Sequence, residues 1–146
     1  MRKTILAAIF FTSVFLISSA HASLYDDLDT WKDFYNPAVG GVFDKYPALE
    51  YIAKIYPTTT IEITTNETVY VKVKNGKIKS ISTDGEGNIE LTTTPEIMNS
   101  LMEAKSFPEI RKRFYENYDA KNIDINAYGQ RRNYLLKLAL WIGRSV

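Results

Sequence analysis

Residues 60–102 read TIEITTNETVYVKVKNGKIKSISTDGEGNIELTTTPEIMNSLM, and the fold follows from them. Ile61 and Ile63 fall on one face of a first strand and Val69, Val71 and Val73 on one face of a second, the period of two that half-buried strands show. Asn75-Gly76, set between Lys74 and Lys77, predicts a type I′ hairpin turn, because both central residues of that turn need positive φ. A third strand follows over Lys77 to Ser82. Its alternation breaks at Ile78 and Ile81, three apart, which predicts a bulge or twist. Asp84-Gly85-Glu86-Gly87-Asn88 reads as a further hairpin turn, closing a meander with a fourth strand, Ile89 to Thr92. A helix begins at Thr94-Pro95-Glu96: Thr94 caps it, Pro95 suits its first turn, and Glu96 lies near the positive end of the dipole.

Upstream, Ser23 is a helix cap with Asp26 and Asp27 in the first turn, and Leu24, Leu28, Trp31 and Phe34-Tyr35 recur at helical spacing. Asn36-Pro37 and Gly40-Gly41 predict a bend over Pro37 to Val42. A second short helix starts at Tyr46-Pro47, carries Leu49, Ile52 and Ile55, and closes at Tyr56-Pro57. Downstream, the Pro95 helix runs to about Ala104. Ser106-Phe107-Pro108-Glu109 resembles a capping box before Ile110, Phe114 and Tyr118. Asn122 to Ala127 is a fifth strand, and after Tyr128-Gly129 a last helix carries Leu135, Leu136, Leu138, Ala139, Trp141 and Ile142. The order predicts a single α+β domain over residues 23–146, with a five-stranded, mostly antiparallel sheet.

Met1 to Ala22 reads as a signal peptide: Arg2 and Lys3, an apolar run over Ile5 to Ile17, and Ala20-His21-Ala22 as an A-x-A cleavage site. The protein expected after cleavage at Ala22 is exported, to the periplasm, the extracellular space or the outer face of a membrane; an uncleaved anchor is the alternative. The leader holds two basic residues and no acidic ones, which leaves 16 Lys+Arg against 17 Asp+Glu in the remainder. That balance carries no footprint for nucleic acid. Loss of His21 and the lack of any cysteine exclude Ser-His-Asp and Cys-His nucleophiles, zinc held by His or Cys, haem held by His, and disulfides. Such a domain is held by its core alone.

The residues Val69-Tyr70-Val71-Lys72-Val73 with Asn75-Gly76-Lys77-Ile78, then Ile89 to Glu96 with Leu101, and finally Ile123-Asp124-Ile125 followed by Tyr134 to Ala139, give the chain a resemblance to the sterol carrier protein 2 (SCP2) lipid-binding domain. The similarity spans roughly Ile61 to Trp141 and lies in topology and apolar positions. It implies a five-stranded sheet whose helices enclose an apolar tunnel for sterols or fatty acyl chains, in a carrier without catalysis and without cofactor.

The candidate lining of such a tunnel is Ile97, Leu101, Met102, Phe114, Leu135, Leu138 and Trp141, which otherwise form ordinary core. Asp26, Asp27, Asp29 and Asp33 are an acidic cluster, and residues 84–88 lack the spacing of a calcium loop, so no metal site is expected. Lys105, Arg111, Lys112, Arg113, Lys121 and Arg131-Arg132 make the second half basic, in keeping either with contact to anionic lipid or a protein, or with a solvated face bearing pairs such as Glu109 and Arg113. Asn66-Glu67-Thr68 matches a glycosylation acceptor. The expected function is binding of an apolar ligand or lipid. An exported interaction or structural module is the alternative, and a hydrolase using Asp26, Asp27 and Glu50 comes third.

Overall fold

A computed structural model describes residues 23–146, and the leader read at Met1–Ala22 lies outside them. Five helices and five strands follow among the described residues: α1 (Leu24–Lys45), α2 (Pro47–Ile55), β1 (Thr58–Thr64), β2 (Thr68–Lys74), β3 (Lys77–Ser82), β4 (Ile89–Thr92), α3 (Pro95–Glu103), α4 (Phe107–Asp119), β5 (Asp124–Ala127) and α5 (Gln130–Ser145). The strands form one sheet in the order β3-β2-β1-β4-β5. The fold is α+β, and the sheet is antiparallel except where β1 runs parallel to β4.

Side-chain alternation decides which face carries the helices. Ile61 is level with Val71 and Ile89, Val71 with Ile81, and Ile89 with Ala127, so one row of apolar side chains crosses all five strands. Ile63, Val69, Leu91 and Ile125 make a second row, and Thr59, Val73 and Ile78 a third. The residues between them, among them Glu62, Lys72, Glu90 and Asn126, belong to the polar face. Asn75 (φ 52°) and Gly76 (φ 81°) close the predicted β2–β3 turn. The expected bulge lies at Lys79, since Lys72 pairs with Ser80 but Val73 with Ile78; it turns both Ile78 and Ile81 inward, where both are buried.

Two expectations fail in instructive ways. Residues 83–88 are not a hairpin turn, because β4 pairs with β1 rather than with β3. The segment instead crosses the polar face over β2 and β1. A Cβ on Gly87 would stand 2.6 Å from the Glu62 Cβ, so only glycine lets the crossing lie this close. Asn88 ends it as a strap, its N–H donating to the Thr60 carbonyl and its Oδ1 accepting from the Thr60 N–H. The bend over Pro37 to Val42 is also absent: α1 continues through Pro37 to Lys45. Tertiary anchors on either side outweigh the lost backbone hydrogen bond. The Tyr35 hydroxyl donates to the Gly76 carbonyl at 2.8 Å, and the Asn36 amide both donates to and accepts from Ile78, at 2.8 Å each way. Asn36 thereby satisfies the edge of β3 as a strand would, and Val39, one turn further on, is buried.

The predicted caps form. Ser23 Oγ accepts from the Asp26 N–H, Thr94 Oγ1 from the Ile97 N–H, and Ser106 Oγ from the Glu109 N–H. The capping box is modified, since the Glu109 carboxylate reaches the N–H of Lys105, not of Ser106.

Candidate functional site

The helices gather over the apolar face of the sheet and cover its two ends differently. At one end Leu24 and Leu28 of α1, Met98 and Leu101 of α3, and Ile63, Val69 and Ile123 pack into a closed cluster. At the other end a cavity of about 380 Å³ remains, at the lower end of the range for small-molecule sites. The later turns of α1 supply Trp31, Tyr35, Ala38, Val39 and Val42 to its wall. From α2 come Leu49, Ile52, Ala53 and Tyr56; from the sheet Thr59, Ile61, Val73 and Ile89; from α5 Leu136 and Ala139. Lys105, Ser106, Phe107 and Ile110, at the start of α4, with Phe43, Gly76 and Phe34, which is 55% exposed, complete the lining. Lys105 and Ser106 are exposed as well, so the cavity meets solvent at this rim.

Among the described residues that line it, Lys105 is the one charged side chain, and the rest of the wall is neutral. Burial pushes the Tyr35 phenol up to about 12, so it stays protonated and bonded to Gly76. The Tyr56 phenol is also raised by burial, against the opposing pull of Arg132, whose carbonyl accepts its proton. Among the described residues two buried side-chain polar atoms lack a partner: the indole Nε1 of Trp31 and the Oγ1 of Thr59 make no hydrogen bond. Both residues line this cavity. A buried unpaired donor costs about 1–3 kcal/mol, which a ligand with a hydrogen-bond acceptor relieves.

None of the seven candidate tunnel residues lines the cavity. Leu101 belongs to the closed cluster, and Ile97, Met102 and Phe114 pack against it. Leu135 and Leu138 are half-buried on α5, and Trp141 is 66% exposed. Trp31, not Trp141, is the tryptophan at the cavity. Ala38, Val39 and Val42 were missed because they lie in the part of α1 read as a bend, and the rest of the lining meets only through the fold. The signal that remained was Ala38, Ala53 and Ala139, small residues at helix positions where larger ones would fill the space.

The polar clusters have local partners. Asp29 pairs with Lys32 at 2.9 Å, Glu50 with Lys54 at 3.8 Å, and Asp27 is raised by burial and by Asp26 and Glu67. Among the described residues no three acidic side chains converge as they would on a metal ion. Arg113 pairs with Glu109 at 2.6 Å as expected, and Arg111 donates to the carbonyls of Gly143 and Arg144, closing the end of α5.

No protein-family model matches the chain, and no curated protein matches it significantly. Three solved structures similar to it are of SCP2 type. A "UbiJ-SCP2 Ubiquinone synthesis protein" has 8% identity and a TM-score of 0.40, over 76% of this chain and 97% of that one. A conserved hypothetical protein from Thermus thermophilus, given as a possible sterol carrier protein, has 8% identity and a TM-score of 0.43, over 84% and 89%. Sterol carrier protein 2 from Yarrowia lipolytica, in its apo form, has 10% identity and a TM-score of 0.37, over 81% and 89%. Likenesses this loose carry no chemistry from those proteins to this chain.

Proposed function

We propose that the protein binds an apolar ligand, of the acyl-chain or small-lipid class, in the cavity between α1, α2, α5 and the sheet, and that it does so without catalysis. The observation that supports this is the cavity itself: space for a small molecule, walls almost wholly apolar, and buried polar atoms on Trp31 and Thr59 left unpaired. Each methylene moved from water into such a site gains about 0.8 kcal/mol, enough to outweigh ordering costs for a chain of ordinary length. Among the described residues the wall holds no pair of carboxylates, and its serine, Ser106, is engaged as a helix cap, its Oγ accepting from the Glu109 N–H.

Binding outside the cytoplasm completes the reading, and rests on the leader pattern of Met1 to Ala22. N-terminal sequencing of the exported protein should begin at Ser23; a start at Met1 favours an anchor. Native mass spectrometry of protein purified without detergent tests the binding itself. A mass increment that extraction identifies as a lipid supports it, and a bare polypeptide that also refuses added acyl chains and sterols speaks against it.

A further inference from the structure

Helix α5 has two unlike sides. At about 100° per residue, Leu136 and Ala139 share the side that lines the cavity, and Tyr134, Lys137 and Trp141 share the opposite side. Tyr134 and Trp141, two turns apart, are 69% and 66% exposed, the most open large aromatics among the described residues. The helix carries Arg131, Arg132, Lys137 and Arg144 and no acidic residue. Arg144 is held by Asp119 at 2.6 Å, while Arg131, Arg132 and Lys137 have no ion-pair partner among the described residues. Glu50, on the neighbouring α2, is occupied by Lys54. The chain is close to neutral as a whole, so this is a local concentration of positive charge around exposed aromatic rings.

We propose that this face of α5 seats on the interface of an anionic lipid bilayer. Tyrosine and tryptophan suit that depth, since the ring leaves water while its O–H or N–H stays at the headgroups. Lys137 lies between them in the stripe, and Arg131 stands beside it at the helix start, where lipid phosphates can reach it; Arg132 falls on the cavity side, next to Tyr56. Among the described residues no helix is long and apolar enough to cross a membrane, so the contact is a shallow one. Because the same helix is a wall of the cavity, docking would set that wall against the bilayer. The docking rests on charge and exposure and does not depend on what the cavity holds.

The test uses vesicles and no added ligand. Trp141 emission should shift to the blue on vesicles containing a third phosphatidylglycerol, should be quenched by doxyl-labelled lipid, and should recover as salt is raised. Phosphatidylcholine alone should give no such change. Replacing Arg131 and Lys137 together by Gln should weaken binding about twenty-fivefold, at roughly fivefold per cation. A Trp141→Tyr chain serves as the blank, which accounts for the emission of Trp31, the other tryptophan. Unshifted, unquenched Trp141 on anionic vesicles overturns the proposal, as does equal binding to both vesicle types; an acidic protein as the true partner gives the first of these results. Cavity binding measured without vesicles is a separate readout, so either idea can fail alone.

Discussion

The two ends of the sheet's apolar face are built from the same kind of strand and differ only in what lies over them. At the closed end Ile63 and Val69 meet Leu24, Leu28, Met98 and Leu101, and Leu28 and Val69 are each 2% exposed. At the open end Thr59, Val73 and Ile89 face Ala38, Ala53 and Ala139 across empty space. Strand pattern therefore does not decide whether a core is solid. The size of the helix residues opposite decides it.

Truncation should separate the two ends most sharply. Leu28→Ala should cost about 2–5 kcal/mol in denaturant unfolding, since it opens a void in a closed cluster. Ile52→Ala, at the open end, should cost less than about 2 kcal/mol, because its neighbours already face a cavity. Equal losses would mean that the open end is as tightly packed as the other. Enlargement gives the converse: Ala104→Leu, where Ala104 is 2% exposed, should destabilise by about 1–3 kcal/mol, whereas Ala139→Leu should change stability little and reduce the room for ligand.

The joint between the ends can be cut at Asn36. Asn36→Ala leaves the Ile78 N–H and carbonyl without partners and should cost about 1–3 kcal/mol, with hydrogen exchange rising at Ile78 before it rises at Val69. A smaller effect comes from alkali. Tyr35 keeps its proton to about 12 in the fold but ionises near 10.0 when unfolded, so the folded state binds the extra proton between those values. Its contribution is whole below pH 10 and is lost as pH rises through about 12. Melting temperature should fall less steeply over that window in Tyr35→Phe than in the parent.

Much of this was legible in the chain. Alternation at Ile61, Ile63 and Val69 to Val73, the Asn75-Gly76 turn and the caps at Ser23, Thr94 and Ser106 act locally, and their neighbours in sequence reveal them. What was hidden depends on partners far along the chain. Residues 83–88 look like a hairpin because turn chemistry records glycine and aspartate, not which strand comes next to which. Pro37 looks like a break because Tyr35 and Asn36 show no trace, in sequence, of the β2–β3 turn that holds them. The site suffered most from this: apolar stripes on α3 and α4 name residues that pack solidly, whereas a cavity is defined by side chains too small to meet.

A titration read at Trp31 tests the central claim most directly. In a Trp141→Phe chain Trp31 is the only tryptophan and sits in the cavity wall. Fatty acids of increasing length should each give a saturable change in its emission with a matching rise in melting temperature, and affinity should climb with length until the cavity is full. Ala139→Leu should bring that limit to a shorter chain. Emission and melting temperature that stay unchanged across all lengths, or a length limit unmoved by Ala139→Leu, would contradict the account.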